Sequence, residues 1–382
     1  MIYFDNNATT QTAGPVLAAM IPFLSEQYGN PSSAYSFSLE PREAIDKARE
    51  NVAALVGAGD RTEIFFTSGG TESDNWAIRG ALAADPRKDQ IVTTAVEHEA
   101  IRNLCDLLEM NGVTVARLGV DGDGMIDLDE LSSAVSEKTA VVSVMLANNE
   151  TGVIFPVKEA AAIVKERSQA LFHVDAVNAA GKIPINVSRT AVDLLSISAH
   201  KFHGPKGIGA LYVRKGSAFS PQSIGGGQEM GMRAGTEAVH SIAGIGAAAS
   251  LASDLSEMDR VKQLRERLDE GLSEKIPNCI FNGINSLRLP NTSNVSFPGA
   301  NGEVIVAMLN DAGVCVSTGS ACNEGLQKVS PVLKAMEVPF EIATSSIRFS
   351  LGRFNTAAEV DSVLELMPKI VYDLRGISGT GS

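Results

Sequence analysis

Short, uniformly apolar runs recur between residues 63 and 213, and helix-like segments separate them; no other feature of the chain constrains its fold as tightly. The runs are EIFFT (63–67), IVTTA (91–95), VTVARL (113–118), TAVVSVMLA (139–147), LFHVDA (171–176) and DLLSIS (193–198). The intervening segments 68–84, 99–110 and 157–167 read as helices. Ahead of the first run, residues 41–56 place Ile45, Ala48, Val52 and Leu55 on one helical face behind Pro41. A strand that is apolar at every position is covered on both faces, so the pattern predicts an α/β fold with a mainly parallel sheet between helical layers. After about residue 240 the texture changes. One long helical stretch is expected over 241–276 and a final helix over 357–374, with short strands between, which suggests a second, smaller α+β domain.

Charge and cysteine content narrow the function classes. Lys and Arg total 32 against 45 Asp and Glu, a net charge of −13. Such a surface repels phosphate backbones and disfavours nucleic acid as a broad partner. The first residues, MIYFDNNATTQ, lack the basic and apolar regions of a secretory signal, and no apolar run is long enough to span a bilayer. Cys105, Cys279, Cys315 and Cys322 are too few and too scattered for a disulfide framework, so a cytoplasmic protein with reduced thiols is expected.

The densest chemical cluster is SISAHKFHGPKGIGALYV (196–213). Lys201 follows an apolar strand together with Ser198 and His200, and a partly desolvated amine there has a lowered pKa and can form a Schiff base. A P-loop is excluded because GPKG lacks the required spacing, whereas a surface turn stays open for this cluster taken alone. Asp175, 26 residues earlier at the end of HVD, stands where open α/β sheets place ligand-contacting groups. A carboxylate there could keep the pyridine nitrogen of pyridoxal phosphate (PLP) protonated, or it could simply form a turn. In TSGGTESDN (67–75) two glycines precede a helix start, a phosphate cradle or an ordinary capped turn. Cys322 sits among small residues suited to a reachable loop. Arg348, between apolar residues in SSIRFSLGRF, calls for a carboxylate partner, either a substrate or a structural ion-pair acid. VDGDGMIDLDEL (120–131) imitates a calcium loop. Aligning Gly124 with the turn glycine of such a loop puts Gly119 where Asp is required, so a turn before a helix is the better reading and no metal site is expected.

Together, DNNATT (5–10), GNPSS (29–33), TSGGTESDN, EHEAI (97–101), NNETG (148–152), HVDA, SAHKFHGPKGIGALYV, GMRAGT (231–236), STGSAC and SSIRFSLGRF resemble the cysteine desulfurases of the NifS/IscS type, within fold type I, class V of the PLP enzymes. The resemblance runs from residue 3 to about 356 and is closest to the subgroup with an extended cysteine loop. It implies a seven-stranded-type sheet in a large PLP-binding domain (15–250), and a small domain (1–14 and 251–382) that carries the cysteine loop. It also implies a homodimer that takes sulfur from L-cysteine, leaves L-alanine, and passes the sulfur to an acceptor protein. By the same resemblance Lys201 holds PLP covalently, Asp175 pairs with the pyridine nitrogen, and His98 stacks on the ring and exchanges protons. Gly70, Thr71, Ser198 and His200 bind the phosphate, with Thr236 reaching it from the neighbouring subunit. Arg348 and Asn149 hold the substrate carboxylate, and Cys322 accepts the sulfur.

The sequence departs from the family pattern in places. Asn178 replaces the usual glutamine at the ring hydroxyl and is one methylene shorter, which implies a weaker or water-mediated contact. NEGLQKVSPVL follows the cysteine in place of the familiar Thr-Ser-Ala run, and the chain stops soon after its last helix, so the family's scaffold-docking extension is not expected. Cys315 is expected to pack on a strand. The rival readings are a class-V aminotransferase or β-eliminating lyase that would not need Cys322, a selenocysteine lyase, and a non-catalytic sulfur-transfer partner.

Overall fold

The computed structural model describes residues 1–318 and 329–378. Its centre is a seven-stranded sheet ordered Ile64–Thr67, Gly209–Val213, Leu194–Ser198, Leu171–Asp175, Thr139–Ser143, Gln90–Thr94, Thr114–Leu118. All neighbours are parallel except at Gly209–Val213, which runs antiparallel to both its partners. Successive side chains of a strand point to opposite faces, and the core divides accordingly. Phe65, Ile91, Val141, Leu171, Leu194 and Leu211 join one apolar cluster; their next neighbours Phe66, Val92, Val142, Phe172, Leu195 and Tyr212 join another. Helices bury both faces of the strands except at the edge strand Thr114–Leu118, where Thr114 and Arg117 are exposed, which is why the other strands read as continuous apolar runs. Trp76 and Ile78 of Gly70–Ala84 with Ile101 and Leu104 of Glu99–Met110 cover the first. Val52 of Leu39–Val56, Ile245 of Val239–Ala252 and Val164 of Val157–Arg167 cover the second.

A third cluster gathers Leu264, Leu268 and Leu272 of helix Ser256–Lys275, Val295, Phe297, Ile347, Phe349 and Met367 around an antiparallel sheet ordered Ser346–Ser350, Thr292–Ser296, Ile280–Phe281. Phe4, near the other end of the sequence, is buried in it, and the strand Ile2–Tyr3 pairs in parallel with Val314–Cys315. Cys315 thus lies on a strand, half-buried beside Tyr3. From this cluster residues 5–12 cross to the end of the large sheet, where the Thr10 N–H donates to His200 O at 2.8 Å.

Two expectations need correction. The helical stretch over 241–276 is two helices, Val239–Ala252 and Ser256–Lys275, because Asp254 Oδ1 accepts from the Ser256 N–H (3.0 Å) and turns the chain between them. The run 139–147 is a regular strand only to Ser143; beyond it Val144 and Leu146 still donate to His173 O (3.1 Å) and Asp175 O (2.8 Å), while Met145 and Ala147 border the cleft described below. The calcium-like segment is a turn: Asp121 Oδ1 accepts from the N–H groups of Asp123 and Met125, Gly124 adopts φ +83°, and Asp127 caps Leu128–Ala134. No described helix is long and apolar enough to cross a membrane.

Candidate active site

Open α/β sheets bind ligands beyond the carboxyl ends of their parallel strands. Here the segments leaving Gln90–Thr94, Thr139–Ser143, Leu171–Asp175 and Leu194–Ser198 enclose a cleft of about 280 Å³. Its lining includes Gly70, Thr71, His98, Asn149, Asp175, Asn178, Ser198, His200 and Lys201. A second compartment of about 330 Å³ adjoins it, shares Ala8, His98, Asn149 and Lys201, and extends to Arg348, Glu97, Glu150, Ser317 and Val329.

Lys201 ends a short 3-10 turn, Ala199–Lys201, that follows its strand directly. Its Nζ donates to the carbonyls of Asn7 and Ala8, the latter at 3.1 Å. Burial and then the nearby Arg348 charge push this amine down to about 8, against the opposing pull of Asp175 and Asp5. About a tenth is therefore uncharged at pH 7, far more than for an ordinary lysine, and the uncharged form is the one that attacks a carbonyl.

Across the cleft, the Asp175 carboxylate is buried and accepts from the Val177 N–H at 2.8 Å. Burial raises its pKa, and His98 and Lys201 work against that rise. His98 caps Glu99–Met110, its Nδ1 accepting from the Ala100 N–H at 3.1 Å, so any proton on the ring sits on Nε2. The ring is exposed to the cleft, yet the surrounding protein lowers its pKa, so it is neutral near pH 7.

The glycine turn is a cradle. Gly69 has φ +154°, and a Cβ on Gly70 would lie 2.7 Å from Val177 Cγ2, so a side chain there would collide with a residue that lines the cleft. Helix Gly70–Ala84 starts at this point, and its first N–H groups have no partner within the helix. Ser198 and His200 stand beside it; His200 is held neutral, pushed down to about 4 by burial and by Lys201, with its Nδ1 3.1 Å from Thr9 Oγ1. A buried acid, a half-desolvated amine and a backbone cradle for an anion within one cleft fit PLP's pyridine, aldehyde and phosphate.

Arg348 has a resident partner. Its Nη2 donates to Asp5 Oδ1 at 2.7 Å and its Nη1 to Asn149 O at 3.0 Å, while its buried Nε has no partner. A structural ion pair therefore exists, and the guanidinium still borders the second compartment. Thr236 lines neither compartment of its own chain; it is exposed on a segment anchored by the buried Arg49–Glu229 pair (2.8 Å) and by Arg233–Glu72 (3.0 Å). Cys322 lies outside the described residues.

Several groups that sequence reasoning did not single out also surround the site. Asp74 and Glu97 are buried, each with one carboxylate oxygen lacking a partner. Burial, reinforced by repulsion from Asp175, raises Asp74 well above the ordinary range and Glu97 to about 8. His173, pushed down to about 3 by burial, is neutral, so its 3.6 Å approach to Asp74 is not an ion pair. Lys182 is buried behind Asn178. Asp74 and Glu97 fall inside the motifs TSGGTESDN and EHEAI, but nothing in those motifs signals that they are buried.

Comparison with known proteins agrees with this geometry. Residues 2–363 match the family model "Aminotransferase class-V". The chain is 52% identical over 380 residues to "Cysteine desulfurase" of Trichormus azollae, covering 99% of this chain and 94% of that protein. It is 45% identical over 379 residues to "Cysteine desulfurase NifS" of Azotobacter vinelandii, with the same coverage. A solved "NIFS-LIKE PROTEIN" superposes with a TM-score of 0.91 at 41% identity, covering 97% of this chain and 99% of that one. On fold, site geometry and full-length similarity alike, the chain belongs to the class-V aminotransferase family, in its branch of PLP-dependent cysteine desulfurases of the NifS/IscS type.

Proposed function

We propose that this protein is a PLP-dependent cysteine desulfurase that takes sulfur from L-cysteine, leaves L-alanine, and carries the sulfur as a persulfide on Cys322. The observation that carries the reading is the convergence of Lys201, Asp175 and His98 on one cleft beside the Gly69–Gly70 cradle. PLP, when bound, supplies an electron sink that makes the substrate's Cα–H acidic.

The chain's own residues divide the remaining work. Gly70, Thr71, Ser198 and His200 hold the phosphate, joined by Thr236 of a second copy in a homodimer. Leu17, Ile21, Leu24 and Tyr28 are exposed on the N-terminal segment, and this apolar surface supports the dimer. Asp175 fixes the proton on the pyridine nitrogen, and Asn178 faces the ring oxygen. Lys201 holds the cofactor and, once displaced, takes the Cα proton; a pKa near 8 suits an amine that gives and receives protons near neutral pH. His98 covers the ring and moves a second proton. Arg348 and Asn149 bind the substrate carboxylate in the second compartment. The Cys322 thiolate attacks the substrate sulfur: an S–S bond forms, the C–S bond breaks, and the electron pair of the broken bond stays on the carbon that becomes alanine's methyl group.

Residues 15–250 form the cofactor domain, while 1–14 and 251–382 form the smaller one. A cytoplasmic location suits its thiols; Cys105, Cys279 and Cys315 are unpaired. The test is the release of alanine and sulfide from L-cysteine in the presence of a thiol reductant. Equal amounts are expected from the native protein, and none from Cys322→Ala that keeps its PLP spectrum. Activity surviving in Cys322→Ala contradicts the persulfide role and favours a β-eliminating lyase.

A further inference from the structure

Lys182 is 7% exposed and has no carboxylate within ion-pair distance among the described residues. Its Nζ instead meets three oxygens: Asn178 O at 2.7 Å, Asn178 Oδ1 at 2.9 Å and Asn7 Oδ1 at 3.3 Å. An ammonium has three donors and no acceptor, so a cage of three acceptors matches it group for group. Burial, and then the Lys201 and Arg348 charges, lower the pKa of this amine well below the ordinary lysine range. The three acceptors around Nζ oppose that pull and favour the charged, three-donor form, and a site that keeps such an amine needs a reason.

Asn178 provides that reason. The two ends of a side-chain amide have nearly the same shape, so a lone asparagine beside a ligand can present either its oxygen or its N–H₂ group. Here only the oxygen can face Lys182, which leaves the N–H₂ end to the cleft that Asn178 lines. That end makes a single long bond, 3.4 Å to Asn148 O, so donor capacity is left over. Asn7 ties the two lysines together, its side-chain oxygen accepting from Lys182 and its backbone carbonyl from Lys201. The cage also borders a cavity of about 20 Å³ lined by Lys182, Lys201 and Asn291.

We propose that Lys182 is a positioning residue: it locks the Asn178 amide so that an N–H, and never the carbonyl oxygen, is presented to the ring oxygen of the cofactor. The inference rests on the reading of the cleft as a PLP site. It explains how an asparagine, one methylene shorter than the glutamine of the family pattern, serves there: the lock fixes the orientation of its dipole and so offsets its shorter reach.

The test is a pH titration of the visible absorption of the PLP-loaded protein. Several ionisable groups face the pair: Lys201 and His200 on one turn, His203 just after it, Arg348 paired with Asp5, and Asp175 with His98 across the cleft. His200 and His203 are both pushed down to about 4 by burial, so neither changes charge across the neutral range. Without an N–H donor the negative ring oxygen is less stabilised, and the proton on the nitrogen of Lys201 is held more tightly. Lys182→Met is expected to raise the titration midpoint by about half a unit, roughly a threefold tighter hold on the proton. Asn178→Ala should raise it by a similar amount, and the double variant no further, because the two side chains act in series. Lys182→Gln retains a neutral donor for the Asn178 oxygen and is expected to fall between native and Lys182→Met, which keeps the test open if the methionine variant folds poorly. An unmoved midpoint in Lys182→Met, a double variant whose shift is the sum of the singles, or a shift in Lys182→Gln as large as in Asn178→Ala would each overturn the lock. Native protein that takes up no PLP would instead overturn the reading of the cleft, an outcome that cannot be confused with these.

Discussion

The two walls of the cleft are built from opposite charges and respond to burial in opposite ways. On one side stand Asp74, Glu97 and Asp175, three buried carboxyl groups whose pKa values are raised by desolvation and, for Asp74 and Glu97, by the negative charge of Asp175. On the other stand Lys182 and Lys201, amines whose pKa values are lowered by desolvation and by neighbouring cations. Each wall thus contains groups drawn toward their neutral forms. Each also contains one member with a counter-charge nearby: Asp175 has the Lys201 amine, and Lys201 has Asp175 and Asp5. The difference separates working groups from supporting ones. Asp175 and Lys201 line the cleft and answer each other's charge; Asp74 lines it too but feels only the carboxylates of Asp175 and Glu97, and Glu97 is held by Thr94 Oγ1 (2.8 Å) and the Met145 N–H (2.9 Å). Lys182 is tied just as firmly to Asn178 and Asn7.

The largest effect is expected from replacing Asp175. Asp175→Asn removes the carboxylate proposed to face the pyridine nitrogen, and alanine production is expected to fall on the order of 10²-fold or more while PLP still binds. Steady-state kinetics with the absorption spectrum recorded alongside checks this; a loss of less than a few-fold would mean that Asp74 or Glu97 can substitute.

Glu97→Gln sharpens the contrast by a smaller effect on stability. A carboxyl raised to about 8 in the folded state binds more protons there than in the unfolded chain, so the native protein loses stability as pH rises from the ordinary glutamate range toward 8. The glutamine keeps an oxygen for Thr94 and Met145 and has no charge to bury. Its melting temperature should therefore exceed the native value by a margin that widens by a few degrees from pH 5 to 8; a constant margin would mean that Glu97 titrates normally.

Most of the fold was legible because the cores are simple. The central strands of the large sheet are buried on both faces and mostly apolar, which made them legible, whereas Thr292–Ser296, equally buried but mostly polar, carries no such signal. The helices Glu99–Met110 and Val157–Arg167 appear at the bounds the sequence suggests. The direction of Gly209–Val213 was not legible, since an apolar run reads the same in a parallel or an antiparallel strand; the short chain from Lys201 to Gly209 decides it. At the site, Lys201 and Asp175 were legible from their places at strand ends. The partner of Arg348 was not, because Asp5 is 343 residues away in sequence. Nor was the role of Lys182, whose spacing of four residues from Asn178 is ordinary for exposed helical pairs and carries no sign of burial.

The most direct test is to ask which lysine holds the cofactor. PLP-loaded protein is reduced with borohydride, digested, and its peptides are examined by mass spectrometry. The pyridoxyl mass is expected on Lys201 alone, because that amine lines the cleft and is lowered to about 8 while Lys182 has all three donors engaged. The mass found on Lys182, or on no lysine at all, would contradict that expectation.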